Sequence, residues 1–205
     1  FQSRAVKKEF DPKNITMRES CDSDVNPNAN AIIVGLDVTG SMGFIAEHIA
    51  KKGLGPLVES VIDHKVVSDP HFMMMGIGDI NYDRAPLQAT HFEADLKIAD
   101  QLEEIWLEGG GGGNRFESYD LAWAFAANKT RIDCYDKRNV KGYLFTIGDE
   151  LPPTSPTKQV LKEEMGISLQ ADLTAKQHLE AAQERYHVFH VCVREGSCGG
   201  QYTVW

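Results

Sequence analysis

Three short runs read as buried strands, each closed by an aspartate, and they constrain the fold of this 205-residue chain more than any other feature. Ala31-Ile32-Ile33-Val34-Gly35-Leu36 ends at Asp37, Phe72-Met73-Met74-Met75-Gly76-Ile77 at Gly78-Asp79, and Val140 to Ile147 at Gly148-Asp149. A short run of this kind predicts a strand covered on both faces, as in a parallel sheet. Residues 44–63, 94–107, 117–129, 157–165 and 171–185 carry apolar residues at helical spacing. Gly53, Gly55 and Pro56 interrupt the first of these, which predicts a kink or two helices. Residues 87–92 read as a short edge strand and His187 to Val193 as the last strand. Strands alternating with helices predict an α/β fold, a mostly parallel central sheet flanked by helices on both faces. Residues 31–205 form one domain in this reading. Residues 1–30, polar and marked by the turn signals Asp11-Pro12 and Asn26-Pro27-Asn28, form an N-terminal extension that wraps or lies on it.

Charge narrows the choice of partner. Lys and Arg number 21 against 30 Asp and Glu, a formal net charge of -9. That sign argues against a nucleic-acid backbone or an anionic membrane as the main partner. No apolar run approaches the roughly 20 residues that span a bilayer. A chain of this length buries about 70% of its unfolded surface, so it folds without staples. Cys21, Cys134, Cys192 and Cys198 make no C-x-x-C pair. They read as reduced thiols in a cytoplasmic setting, with one late disulfide left open. The chain starts at Phe1, which leaves open a removed leader or anchor.

In an open α/β sheet the ligand crevice lies at the carboxyl ends of the strands. Three polar clusters fall there: Asp37-Val38-Thr39-Gly40-Ser41-Met42, Asn114 after the glycines 109–113, and Asp149. Asp37 and Asp149 offer charged oxygens, Thr39 and Ser41 hydroxyls, and Asn114 a carbonyl. With neither Cys nor His in the set, the donors suit Mg²⁺, with Mn²⁺ or Ca²⁺ as alternatives, over Zn²⁺ or Cu²⁺. Residues 37, 39 and 41 alternate, so in an extended segment their side chains point one way.

On these residues the chain resembles the von Willebrand factor A domain, whose metal-ion-dependent adhesion site carries a D-x-S-x-S signature. Asp37-x-Thr39-x-Ser41 is similar to that signature, and the resemblance covers residues 31 to about 193. Asp37-Val38-Thr39-Gly40-Ser41-Met42 and Gly148-Asp149-Glu150-Leu151-Pro152-Pro153 look closest to the A domains of atypical alpha-kinases and their bacterial and phage relatives. The resemblance implies that Ser41 and Thr39 bind the ion directly, Asp37 directly or through water, and that Asp149 is the acid of the later strand. The family's loop threonine has no counterpart; Asn114 stands in its place, with Glu117 or Ser118 as alternatives. The implied function is a cation-dependent protein-binding module in which a partner Glu or Asp completes the ion's coordination. The oligomeric state is left open.

Plainer readings compete. Asp37, Thr39 and Ser41 could cap the following helix, Asn114 and Glu117 could form a capping pair, and Asp149 could be an ordinary loop acid. Asp79, Asn81 and Asp83 hint at a calcium loop, but Arg84 and Thr90 stand where such a loop needs Gly and Glu. The glycine run lacks the Lys-Ser/Thr of a phosphate loop. Enzyme signatures are missing: no G-x-S-x-G, no H-E-x-x-H and no kinase set. A phosphatase using Asp37 would lack its second acid, because position 39 is Thr. The remaining rival is a structural or assembly component with a vestigial metal site.

Overall fold

The computed structural model describes residues 5–40, 42, 44–95, 97–107 and 116–194. Ser41, Asn114, the glycines 109–113 and Cys198 lie outside the described residues. In chain order the strands are β1 (Arg18–Ser20), β2 (Asn30–Asp37), β3 (Pro70–Ile77), β4 (Leu87–Ala89), β5 (Thr130–Ile132), β6 (Gly142–Gly148) and β7 (Tyr186–Cys192). The helices are α1 (Phe44–His48), α2 (Leu54–Asp63), α3 (Lys97–Glu104), α4 (Tyr119–Asn128), α5 (Asp133–Asp136), α6 (Lys158–Met165) and α7 (Ala175–Gln183).

The main sheet runs β4-β3-β2-β6-β7. All its pairs are parallel except β3 with β4. Alternation along β2 sends Ala31 and Ile33 to one face, where they meet α4, α6 and α7. Ile32, Val34 and Leu36 go to the other, against α1, α2 and α3. Both faces are covered, which explains why the central strands read as nearly unbroken apolar runs rather than alternating ones.

Register decides what meets at the carboxyl edge. β2 pairs with β3 from Asn30↔Pro70 to Asp37↔Ile77. It pairs with β6 from Ile32↔Tyr143 to Leu36↔Ile147. Asp37 therefore ends its strand level with Gly148, and Asp149 follows one residue later.

The interrupted segment 44–63 is two helices joined by a π-helical turn, Ile49–Gly53. Pro56 sits in the first turn of α2, directly after the π-helical turn. The edge strand is shorter than residues 87–92 and runs antiparallel. The N-terminal segment lies on the domain and adds a strand of its own, since β1 pairs in parallel with β5 in a separate two-stranded sheet. Strands of three residues leave no periodicity to read in the sequence.

That segment is tied down along its length. Phe10 is buried, and its carbonyl accepts from the Ala89 N–H at 2.9 Å. Lys129 Nζ donates to the carbonyls of Pro12 at 2.9 Å and Ile15 at 2.5 Å. The Arg18 guanidinium donates to Ala89 O at 3.0 Å and also to Glu9 O. Among the described residues, no helix is long and apolar enough to cross a membrane.

If the segment belongs to the cooperative unit, Phe10→Ala removes a core residue and should lower the unfolding free energy by about 3–5 kcal/mol. Urea denaturation followed by tryptophan fluorescence measures this. An unchanged midpoint would place the segment outside the folded core.

Candidate functional site

Asp37 is the centre of the carboxyl edge. Its carboxylate is completely buried, at 0% exposure. Oδ1 accepts from the Thr39 amide at 3.0 Å and from the Thr39 hydroxyl at 2.7 Å. Oδ2 accepts from the Tyr119 hydroxyl at 3.0 Å. Thr39 thus turns back onto Asp37. Burial pushes the Asp37 carboxyl up to about 7; the Thr39 bonds oppose that rise and the nearby Asp149 charge adds to it.

Tyr119 reaches Asp37 because β6 makes room for it. A Cβ on Gly148 would lie 2.0 Å from the Tyr119 hydroxyl. The phenol also accepts a long 3.4 Å bond from the Glu150 amide. His190 packs edge-on against its ring, 4.8 Å between centroids. His190 Nδ1 lies 2.9 Å from the Thr146 hydroxyl, and burial pushes the imidazole down to about 4, so it is neutral beside the site. His187 stacks on Tyr143 on the opposite side of the sheet, so the two histidines share no site.

Other acids crowd the same edge. Glu117 is 3% exposed, and its Oε2 has no hydrogen-bond partner. Burial first, then the charges of Asp37 and Glu150, push its carboxyl up to about 10, with the Thr39 hydroxyl opposing. Glu117 comes just before α4, held by its own N–H on Leu151 O at 2.9 Å. Ser118 is the N-cap position of α4, but its hydroxyl accepts from the Ile80 N–H at 3.0 Å instead of capping the helix. Asp149 and Glu150 are 4% and 3% exposed. Acidic groups are thus concentrated where burial makes their ionisation most costly.

The structure brings Asp37, Thr39 and Asp149 together, while Ser41 and Asn114 fall outside the described residues. Sequence reasoning missed the structural part of Tyr119, and it weighed Glu117 only as a substitute ligand. Tyr119 had one available signal: it follows a loop and faces a strand ending in glycine. The Asp79-Asn81-Asp83 turn bonds to itself. Asp79 Oδ1 accepts from the Asn81 amide at 2.8 Å, and Asp83 Oδ2 accepts from the Asp79 amide at 2.7 Å. Among the described residues, no three His, Cys, Asp or Glu side chains are grouped so as to hold a metal ion by themselves. An ion at this edge would need the hydroxyl and amide oxygens as well.

No family model and no curated protein matches the chain. Among solved structures it is similar to the pilus adhesin SpaC from Lactobacillus rhamnosus GG, at 9% identity and a TM-score of 0.55 over 86% of this chain and 26% of the adhesin. The open conformation of the same adhesin gives 10% identity and a TM-score of 0.47 over 68% of this chain and 17% of that one. The chain therefore spans about a quarter of the adhesin's length, and the likeness is one of fold.

Two tests follow from this geometry. Tyr119→Phe leaves Asp37 Oδ2 buried without its donor and should cost about 1–3 kcal/mol in denaturant unfolding. The second concerns pH. Folded Asp37 holds its proton to about pH 7, whereas its unfolded value is 3.8. The stability linked to that proton is fully present below the unfolded value and is lost as pH rises through the folded one. In EDTA, Asp37→Asn should gain on the wild type as pH rises from 4 to 8, a trend read from thermal midpoints. A pH-independent difference would contradict the buried, repelled state of Asp37.

Proposed function

We propose that this chain is a von Willebrand factor A-like domain of the Rossmann-like α/β type. It holds a divalent cation at the carboxyl edge of its sheet and binds a protein partner whose Glu or Asp completes the ion's coordination. The carrying observation is Glu117, buried to 3% exposure with an unbonded Oε2 beside the buried Asp37. Carboxyl groups arranged this way either keep their protons or are joined by a cation.

The donor chemistry supports the same reading. The Thr39 hydroxyl, bonded to Asp37 Oδ1, adds a neutral oxygen to the set. Thr39, Asp37 and Asp149, completed by Ser41 and Asn114, form an all-oxygen set suited to Mg²⁺, with Mn²⁺ and Ca²⁺ as alternatives. As the loop ligand, Glu117 is better placed than Ser118, whose hydroxyl is engaged by the Ile80 amide. With Asn114 in the loop position, two carboxylates, Asp37 and Asp149, leave a bound Mg²⁺ attractive to one further carboxylate. An acidic surface can then capture an acidic side chain, which net charge alone would repel. The solved structure similar to this chain is titled a pilus adhesin, in keeping with an adhesive role. Among the described residues Cys21, Cys134 and Cys192 are in no disulfide, in keeping with the reducing, cytoplasmic setting proposed for the chain.

Calorimetric titration of Mg²⁺ into the wild type and into Asp37→Ala tests the ion. The wild type should bind it and gain about 2.7 kcal/mol of stability at a hundredfold excess over Kd; Asp37→Ala should do neither. Equal responses reject the site. Partner capture that persists in EDTA would assign the chain instead to a structural role with a vestigial site.

A further inference from the structure

The main sheet ends in two unlike edges. β4 forms one, and the N-terminal segment closes it: the Ala89 N–H donates to Phe10 O at 2.9 Å, and the Arg18 guanidinium donates to Ala89 O at 3.0 Å. β7 forms the other, and among the described residues it pairs with β6 alone. The Val193 N–H donates to Gly148 O at 2.8 Å and the Gly142 N–H to Arg185 O at 3.0 Å, so the odd-numbered residues along β7 turn their main-chain groups toward β6. In a parallel ladder the residues between them turn outward. Tyr186, Val188 and Cys192 therefore present N–H and C=O groups on the open side. Among the described residues no hydrogen bond from outside the sheet reaches those main-chain groups.

β7 also lacks the usual protection of an edge strand. From Tyr186 to Cys192 it carries no Lys, Arg, Asp, Glu or Pro, the residues that discourage edge-to-edge pairing. His187, Phe189 and Val191 alternate, so they share one face, beside the Tyr143, Phe145 and Ile147 row of β6. Phe189 and Val191 are 48% and 46% exposed, and Phe189 stacks on Phe145 with 5.2 Å between ring centroids. An apolar groove of about 380 Å³ continues this face toward α2, lined by Leu57, Val61, Phe145, Ile147 and Val191 among others. In a chain of net charge -9, this band holds no acid to repel a like surface.

We infer that β7 pairs antiparallel with β7 of a second copy of this chain, about a two-fold axis at Phe189. The strand is its own complement. With Phe189 opposite Phe189 of the second copy, the outward main-chain groups of Tyr186 meet those of Cys192, as hydrogen-bonded antiparallel pairs require. Phe189 then faces its own copy, and His187 faces Val191, at the positions between, where side chains of paired strands come closest. The same register brings Arg194 of each copy toward Glu184 of the other, exposed residues of opposite sign beyond the two ends of the strand. Two five-stranded sheets become one. The two Asp37 edges then point in opposite directions, so the dimer offers a candidate site at each end. The inference stands whether or not the Asp37 edge binds an ion.

Sedimentation velocity of the full chain over a concentration series, with hydrogen exchange at each concentration, tests it. The wild type should pass from monomer to dimer as concentration rises. The Val188 and Cys192 amides should gain protection in step with the dimer, while those of Phe189 and Val191, turned toward β6, stay protected throughout. Phe189→Lys and Phe189→Glu each set like charges face to face at the axis, and each alone should raise the dimer dissociation constant about tenfold or more. An equimolar mixture of the two should recover the dimer. A wild type that stays monomeric at every concentration overturns the inference. So does Val188 protection that ignores dilution, which would assign the edge to another part of the same chain, and so do Phe189 variants that dimerise as the wild type does. The exchange measurement needs no variant, so it decides the matter if the substituted chains fail to fold.

Discussion

A carboxylate buried at the end of a central strand organises this molecule. Asp37 is closed off from solvent and, among the described residues, is held by the side chains of Thr39 and Tyr119. Both hold it through donated hydrogen bonds rather than by charge. The neighbouring Asp149 adds its charge to the burden on Asp37, and Glu117, which burial pushes up to about 10, does not relieve it. Buried ionised groups cost several kcal/mol apiece unless paired. A fold that keeps such a group at its sheet edge gives up stability there, a local departure from good packing of the kind that functional sites show.

The rest of the architecture makes that concentration of charge tolerable. Both faces of the sheet are sealed, by α1, α2 and α3 on one side and by α4, α6 and α7 on the other. α4 is buried along most of its length, so Tyr119 is placed by a rigid element and not by a loop. Gly148 gives the phenol the space to approach, and His190, neutral and bonded to Thr146, backs its ring. The N-terminal segment closes the opposite part of the core through Phe10, Arg18 and the Lys129 ammonium. The Lys129 ammonium and one terminal nitrogen of Arg18 are met there by backbone carbonyls, in contrast to the acids of the edge.

Much of this could be read from the residues. The strands ending in Asp37, Asp79 and Asp149 announce themselves by composition, and helical spacing places α3, α4, α6 and α7 within a few residues. The division of residues 44–63 follows from Gly53, Gly55 and Pro56. β1 and β5 could not be read, because three residues contain too little pattern. Glu117 was legible as a residue beside the site. Its burial, and that of Asp120, was not, since an acid next to a glycine-rich loop looks like an exposed one.

The sequence alone determined the α/β class, the order of elements and the oxygen-rich character of the strand ends. These are properties of single segments, fixed by apolar spacing and residue type. Only the tertiary structure decided which ends meet. The register of β2 against β3 and β6 sets Asp37 level with Gly148. The packing of α4 across the sheet then brings Tyr119 and Glu117 to Asp37 and turns Asp120 toward Ser155. Burial, and the charge repulsion it magnifies, belongs to such arrangements of distant segments, and no local pattern encodes it.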